Sequence, residues 1–254
     1  MDYHMHTKAS PDGSGDFADF IKEAAKKGID EIGFSEHLLD RPARPTDFMD
    51  TYVQRLNEVK KQSALPIRLG AEVDFFPDQI EKTHEFLQKY PFDYVIGSVH
   101  FLNDWPVDSF KQMELYFRHD ILKVYEDYFK MVRTLCRTRL FDILGHVDIV
   151  KIFGFKPNCD VTGILEETAD AIVENDICVE INTAGLERRC AEIYPSRNFL
   201  ELLQKREVPI TLGSDAHRPQ DVGRSFDKAL ALVKEVGYSD LCTFEARKRK
   251  SVGI

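Results

Sequence analysis

The sequence lacks long apolar runs, paired cysteine motifs and a secretory leader. No apolar stretch among its 254 residues approaches the roughly 18 residues that cross a bilayer, so no membrane association is predicted. The first ten residues lack the basic-then-apolar order of a signal peptide. The five cysteines are odd in number and show no C-x-x-C spacing, which argues against a disulfide framework or a cysteine-bound zinc. These absences predict a protein of the reducing cytoplasm.

Basic residues are also in the minority. The chain has 34 Lys and Arg against 43 Asp and Glu, which gives a formal charge of -9. A broad cationic face for extended nucleic-acid binding is therefore not expected. The length fits one large α/β unit, and no linker or low-complexity segment divides the chain, so residues 1–254 are predicted to form a single domain. Nothing in the sequence indicates the oligomeric state.

What the sequence does contain is an alternation of short apolar strands with amphipathic helices. Strands are predicted at residues 2–6, 31–35, 67–73, 93–99, 142–147, 178–182 and 209–213. Helices are predicted at residues 17–27, 46–61 with Thr46 as its N-cap, 78–88, 109–139, 161–174, 196–206 and 219–235. This alternation is typical of βαβ units and a largely parallel sheet. Seven repeats without a G-x-G-x-x-G loop favour a TIM-like barrel over an open doubly wound sheet.

Side chains that bind metals follow these strands at their carboxyl ends. The candidates, which include six of the eight histidines, are His4, His6, Asp12, His37, Glu72, His100, His146, Asp215 and His217. The active sites of α/β barrels lie at this rim. Imidazole combined with carboxylate suits Zn, Mn or Fe. Nine candidates are too many for one ion, so two or three divalent ions are predicted.

Several of these residues also have an ordinary structural interpretation. A buried histidine beside a strand commonly makes a structural hydrogen bond, and Asp12 before Gly13 is typical of a turn. His84 and His119 lie within predicted helices and are expected to be packing or surface residues. The metal interpretation depends on the regular placement of the whole set.

The ordered motifs resemble the PHP (polymerase and histidinol phosphatase) superfamily. They are HMHT, SEH, GAEVDFFP, GSVHFL, GHVDIVK, EINTAGL and GSDAHRP. Their run is similar to that of the monofunctional histidinol-phosphatase branch. The resemblance implies a distorted (β/α)7 barrel with a trinuclear metal centre. It also implies hydrolysis of L-histidinol phosphate to L-histidinol and phosphate in histidine biosynthesis.

The resemblance further implies which residues hold each ion. One ion would be held by His4, His6, Glu72 and Asp215, a second by Glu72, His100 and His146, and a third by Asp12, His37 and His217. Many relatives have a histidine at the position of Asp12. The aspartate would shift the metal preference toward Mn or Fe, or weaken the third site.

The expected reaction is the attack of a metal-bound hydroxide on phosphorus. Clustered cations offset the charge of the phosphate dianion and lower the pKa of bound water. Asp215 and His217 are expected to handle protons while they act as ligands. Candidates for binding the phosphate are the cations that follow the fifth and sixth strands, namely Lys151, Arg188, Arg189 and Arg197. A guanidinium binds phosphate bidentately, although each of these residues also fits a solvated surface charge.

Other polar and aromatic residues have two interpretations that the sequence leaves open. Residues that could orient the ligands, or make ordinary hydrogen bonds at strand ends, are Glu36, Asp148, Glu180 and Asn182. Residues that could wall the substrate pocket, or pack in the core, are Phe101, Trp105 and Tyr116.

Two further functions stay open beside histidinol-phosphate hydrolysis. One is a PHP phosphoesterase that acts on a nucleotide, a short oligonucleotide or a sugar phosphate. The other is a non-catalytic metal-binding domain, which the nearly complete ligand set disfavours.

Overall fold

The computed structural model describes residues 1–38 and 47–254. Its helices are α1 Phe17–Lys26, α2 Met49–Gln62, α3 Ile80–Leu87, α4 Ile121–Thr138, α5 Thr162–Glu174, α6 Arg197–Gln204 and α7 Phe226–Val236. Its strands are β1 Ile32–Phe34, β2 His37–Leu38, β3 Ile67–Leu69, β4 Glu72–Asp74, β5 Ile96–Ser98, β6 Phe101–Leu102, β7 Trp105–Pro106, β8 Ile143–Leu144, β9 Cys178–Asn182, β10 Ile210–Gly213, β11 Asp240–Glu245 and β12 Lys248–Gly253. Among the described helices, none combines the length and apolar character that a membrane span requires.

Parallel pairing dominates the sheet structure. Six strands form one sheet in the order β10-β9-β8-β5-β4-β2, and every pair within it is parallel. Strands β1 and β3 form a separate parallel pair. Helices alternate with these strands along the chain, which confirms the predicted α/β class.

The N-terminal segment, residues 2–6, connects the two edges of this arrangement. It was predicted as the first strand, but it makes backbone hydrogen bonds and isolated bridges instead of a strand ladder. The Gly33 N–H donates to the Asp2 carbonyl oxygen at 2.8 Å, beside β1. On the other side, the Tyr3 N–H donates to the Leu212 carbonyl oxygen of β10 at 3.2 Å. The segment therefore lies between the first and the last of the parallel strands.

The core forms where apolar helix faces pack on the buried strands. In α1, Asp16 caps the amino terminus and makes a capping box with Asp19, while Phe17, Phe20 and Ala24 are buried. Such a cap satisfies N–H groups that have no partner within the helix. The parallel strands are buried except at His37 of β2 and Arg68 of β3, which are half-buried, and this suits their runs of apolar residues.

Several predicted helix boundaries differ from the structure. The predicted helix 109–139 is two elements, a 3₁₀ helix over Phe110–Phe117 and then α4. The carboxylate of Asp120 accepts from the Leu122 N–H at 3.0 Å and starts α4. Helix α2 starts at Met49, and the predicted cap Thr46 lies outside the described residues.

Two antiparallel hairpins were not predicted from the sequence. One is β6–β7 and the other is the C-terminal β11–β12. Both have the short, mixed polar and apolar composition that gives a weak periodic signal.

Candidate metal centre and substrate pocket

The carboxylate of Glu72 lies at the centre of the predicted ligands. Glu72 begins β4 and pairs in register with His37 of β2. Its Oε2 lies 2.8 Å from His37 Nδ1 and 3.3 Å from His4 Nε2. Its Oε1 lies 2.9 Å from His146 Nε2. With 1% of its side chain exposed, Glu72 offers both oxygens to imidazoles rather than to water.

Asp215 forms a second carboxylate centre after β10. Its Oδ1 lies 3.4 Å from His6 Nε2, 3.7 Å from His4 Nε2 and 3.5 Å from His217 Nδ1. The residue has a φ of 51°, which is uncommon for a residue other than glycine. Such strained backbone positions cluster at functional sites. The turn after β10 thus aims Asp215 at the two histidines of the N-terminal segment.

Asp12 reaches the same cluster from the loop after the N-terminal segment. Its Oδ1 lies 3.6 Å from His37 Nε2, and its Oδ2 lies 3.3 Å from His217 Nε2. The His6 ring stacks on the His37 ring with centroids 4.1 Å apart. Partial burial opposes ionisation of Asp12, but hydrogen bonds from His217 and His37 outweigh it and lower the pKa of this carboxyl. The structure therefore places Asp12 beside His37 and His217, and its role as a metal ligand stays a prediction.

Two carboxylates orient imidazoles from outside the cluster. Glu180 Oε1 lies 2.6 Å from His4 Nδ1, and Asp74 Oδ1 lies 2.5 Å from His100 Nδ1. In each case the Nε2 atom is left facing the other ligands. His100 Nε2 and His146 Nε2 lie 3.2 Å apart. Glu180 was among the orienting candidates, whereas Asp74 was missed; its i+2 spacing from Glu72 along one strand is the signal that identifies it.

Two other predicted orienting residues, Asn182 and Glu36, make side-chain hydrogen bonds that do not reach a candidate ligand directly. Asn182 donates to Glu180 Oε2 at 3.0 Å. Glu36 accepts from the Thr7 hydroxyl at 2.7 Å and the Ser10 hydroxyl at 2.6 Å, so it fixes the loop that leads to Asp12. Of these side chains, only Glu180 and Asp74 contact a candidate ligand directly.

The donor set fits divalent cations. Ligand atoms approach within 4.8 Å of one another in three groups, His4 with Glu72 and His146, His4 with His6 and Asp215, and His6 with His37 and His217. Within the described ranges, the Nε2 atoms of His4 and His6 are buried without a hydrogen-bond partner. Buried polar atoms rarely stay unsatisfied. A bound cation would satisfy these imidazole nitrogens, since imidazole and carboxylate together form typical metal sites.

The charges of the cluster stabilise one another. Burial lowers the pKa of His4, but the combined charge of the nearby carboxylates of Glu180, Glu72 and Asp215 raises it by more than burial lowers it. The pKa of His4 therefore lies well above the usual value. Burial raises the pKa of Glu72, and the charges of His4 and His37 more than reverse that effect. Burial and the charge of His37 lower the pKa of His6. His6 is therefore neutral, with a nitrogen lone pair available for an ion.

The cluster opens into a cavity of about 530 Å³, a volume typical of a small-molecule site. Candidate ligands line its floor, namely Asp12, His37, Glu72, His100, His146, Asp215 and His217. Its walls include the aromatic side chains Phe101, Phe110, Phe153 and Tyr194, and the charged side chains Asp108, Glu187, Arg188 and Arg189.

The four predicted phosphate-binding cations separate into two places. Arg188 and Arg189 line the cavity of the cluster. Lys151 and Arg197 instead line a neighbouring cavity of about 480 Å³. Lys151 is buried, with its Nζ 2.8 Å from Asp148 Oδ2, while Arg197 pairs with glutamates on the surface. In the structure, the charges of Lys151 and Arg197 are therefore paired away from the cluster.

The predicted wall residues also divide. Phe101 lines the cavity, but Trp105 lies in a separate one beside His119, with their rings stacked at 5.4 Å. Tyr116 is buried, and its hydroxyl donates to the Val107 carbonyl oxygen at 3.0 Å. Tyr116 and Trp105 therefore support the wall from behind.

Comparison with known proteins relates the chain to one family. Residues 2–184 match the PHP domain, and residues 197–226 match the PHP-associated family. The "Probable histidinol-phosphatase" of Deinococcus radiodurans is 31% identical over 255 residues, covering 97% of each chain. The histidinol-phosphatase of Bacillus subtilis is 30% identical, covering 90% of this chain and 97% of that protein.

Solved structures share the fold. The crystal structure of histidinol phosphate phosphatase from Lactococcus lactis, complexed with zinc, L-histidinol and phosphate, matches with a TM-score of 0.83 at 25% identity and covers 98% of both chains. A structure from Listeria monocytogenes matches with a TM-score of 0.81 at 24% identity, covering 89% of this chain and 98% of that one.

Proposed function

Since the chain belongs to the PHP domain family, we propose that it hydrolyses L-histidinol phosphate to L-histidinol and phosphate in histidine biosynthesis. The observation that carries this proposal is the cluster of imidazoles and carboxylates at the floor of a cavity of ligand size. Relatives that span nearly the whole chain are named histidinol-phosphatases. The enzyme from Lactococcus lactis was solved with L-histidinol and phosphate.

Two or three divalent ions are proposed for the cluster. Their ligands would be His4, His6, Asp12, His37, Glu72, His100, His146, Asp215 and His217. Bound ions supply positive charge against the phosphate dianion and lower the pKa of a bound water. Zinc is present in the relative from Lactococcus lactis, and nitrogen and oxygen donors also suit Mn or Fe. The unpartnered Nε2 atoms of His4 and His6 support this assignment.

Asp215 and His217 are proposed to handle protons at the floor of the cavity. Their side chains lie 3.5 Å apart, between His217 Nδ1 and Asp215 Oδ1. Burial lowers the pKa of His217, but a hydrogen bond to Asp12 and the charge of Asp215 raise it above the usual value. In the metal-free cluster the His217 imidazole therefore holds a proton more readily than a free histidine does.

Arg188 is proposed to bind the phosphate. In the described part of the chain its guanidinium forms no ion pair or hydrogen bond, and it lines the cavity. Arg189 is held differently, with its guanidinium 5.5 Å from the centroid of the Phe110 ring. A free guanidinium offers two parallel donors to phosphate oxygens, so Arg188 takes the direct role and Arg189 adds positive charge beside it.

The whole chain is proposed to act as one catalytic domain. One cluster of buried apolar residues extends from Met5 to Leu241, and the candidate ligands that it supports extend from His4 to His217. Its cytoplasmic location and the absence of an extended nucleic-acid surface stay predictions from composition.

The test is a substrate panel on the purified protein, with its metal content measured first. We expect kcat/KM for L-histidinol phosphate to exceed that for a nucleotide, a short oligonucleotide and a sugar phosphate by orders of magnitude. His4→Ala and Asp215→Ala should lose metal and activity together because both remove ligands. His84→Ala, on the exposed face of α3, is the matched control.

The opposite results would separate the alternatives. Faster hydrolysis of a nucleotide or sugar phosphate would identify a different PHP phosphoesterase. Full activity in His4→Ala would contradict the metal assignment. Metal binding without hydrolysis of any phosphate ester would indicate a non-catalytic domain.

A further inference from the structure

Asp108 is a charged residue of the cavity wall that no predicted role includes. It is half-buried and lines the cavity together with Phe101 and Phe110. Over residues 1–38 and 47–254, its carboxylate takes part in no hydrogen bond or ion pair. An ionised carboxylate in a partly desolvated pocket is stabilised by a cation.

The other carboxylates of this cavity already have partners. Asp74 Oδ1 contacts His100 Nδ1 at 2.5 Å, and Glu187 pairs with Arg224 at 2.8 Å. The remaining three, Asp12, Glu72 and Asp215, belong to the candidate metal cluster. Among the described lining residues, Asp108 is thus the carboxylate without an ion-pair or hydrogen-bond partner, and Arg188 is the corresponding guanidinium.

The backbone next to Asp108 is held on both sides. The Val107 N–H donates to the His100 carbonyl oxygen at 2.8 Å, and the Val107 carbonyl oxygen accepts from the Tyr116 hydroxyl at 3.0 Å. Val107 is fully buried. These contacts fix Asp108 beside the His100 edge of the metal cluster, on ordered backbone rather than on a loose loop.

The proposed substrate has a charge that matches this position. L-histidinol phosphate carries a primary ammonium group on the carbon next to its phosphate ester, with an imidazole ring beyond it. We propose that Asp108 is a specificity-determining residue that binds this ammonium group and selects aminoalkyl phosphates over neutral polyol phosphates; the inference rests on the proposed function. A phosphate ester without an amine would leave the Asp108 charge unpaired, which is a penalty on the wrong substrate.

The test compares Asp108→Asn with the wild type at full metal content. A hydrogen bond to a charged group is worth about 1.5–3 kcal/mol, so KM for L-histidinol phosphate should rise by about 10–100-fold while kcat changes little. Hydrolysis of p-nitrophenyl phosphate, which has no amine, should keep its kcat/KM. Asp108→Glu should restore part of the loss. The matched control is Asp104→Asn, an exposed aspartate that lines a different cavity.

A second substrate pair keeps the inference separate from the proposed function. Wild type should prefer 2-aminoethyl phosphate over 2-hydroxyethyl phosphate, and Asp108→Asn should abolish that preference. No preference in the wild type, or an unchanged preference in the variant, would overturn the role of Asp108. An equal loss of kcat/KM on amine and neutral substrates would also overturn this role, because it would show that the substitution acts through His100 and the metals. Failure of the wild type on L-histidinol phosphate alone would instead refute the proposed function.

Discussion

Glu180 is the residue on which the orientation of two candidate ligands depends. Its Oε1 lies 2.6 Å from His4 Nδ1, and its Oε2 accepts the His146 backbone N–H at 2.8 Å. The space beside it is filled by the backbone of Gly213. A Cβ atom at Gly213 would lie 1.8 Å from Glu180 Oε1 and 2.8 Å from His4 Cβ. Glycine is therefore required there by close approach, not by its backbone angles.

Gly213→Ala should displace Glu180 and with it the His4 imidazole. Loss of a partner that orients a metal-binding histidine costs about 10–100-fold in metal affinity or activity, and we expect a loss of that size in kcat/KM. The matched control is Gly163→Ala in α5, where an added Cβ meets nothing within 4 Å. Metal content, kcat/KM and thermal unfolding of both variants provide the comparison. Normal metal content in Gly213→Ala would contradict the orienting role of Glu180.

At the residue scale, the sequence predicted the candidate ligands that the structure brings together, but it predicted only part of the residues that orient them. His4 and His6 were identifiable because alternate residues of an extended segment point to the same side. Lys151 was predicted beside the phosphate, whereas the structure places it at a neighbouring cavity, and a lysine after a strand gives no sign of its partner. That partner, Asp148, is three residues away, and the turn of the chain that buries the pair depends on tertiary packing.

At the element scale, a buried ion pair holds the segment that carries Tyr194. Lys151 Nζ lies 2.8 Å from Asp148 Oδ2 and 2.9 Å from the Ile193 carbonyl oxygen. The same Asp148 oxygen accepts the Ser196 N–H at 2.8 Å. The pair thus binds both sides of Tyr194, whose ring lines the candidate site.

Lys151→Met should destabilise the protein because it leaves the Asp148 carboxylate buried without its counter-ion. Breaking one side of a buried pair costs about 3–5 kcal/mol, which corresponds to a fall in Tm of roughly 6–20 °C at this size. Lys123→Met removes an exposed pair with Asp127 and should leave Tm unchanged. Unchanged Tm with a raised KM in Lys151→Met would instead restore Lys151 as a phosphate ligand.

The elements themselves were predictable to different degrees. Strong periodicity identified helices such as α1, whose buried Phe17 and Phe20 pack on Phe34 of β1. The predicted helix 109–139 was too long because the apolar pattern continues across Asp120, where a side-chain cap starts a new helix. The hairpin β11–β12 was missed since β12 is exposed along its length and its charged residues resemble a loop.

At the scale of the whole molecule, the cluster joins parts of the chain that are distant in sequence. Its members come from the N-terminal segment and the loop after it, from β2 and β4, from the ends of β5 and β8, and from the turn after β10. Barrel-like topology could be anticipated because each repeat ended in a ligand-type residue. The position of the N-terminal segment between β1 and β10 could not be anticipated, because a segment of five residues is too short for its sequence pattern to indicate its partners.

Removal of metal should abolish activity and lower Tm, and readdition should restore both. A ligand at about 100 times its Kd stabilises the folded state by about 2.7 kcal/mol. The gain should be larger near pH 8 than near pH 6, because His4 and His37 have raised pKa values in the metal-free cluster and ions must displace their protons. These raised pKa values stabilise the metal-free fold at low pH, and that stability is lost as pH rises. Thermal unfolding at both pH values, with a chelator and with added metal, measures the difference; an equal gain at both would contradict the proton competition.

The position of the N-terminal segment also determines when, during synthesis of the chain, the candidate metal site can be completed. His4 leaves the ribosome about 210 residues before Asp215, and at roughly 5–20 residues per second the interval is about 10–40 s. During that time the two histidines of the segment have no β10 to lie against and no second carboxylate to share an ion with. The proposed ion site of His4, His6 and Asp215 can therefore be completed only after β10 has been synthesised.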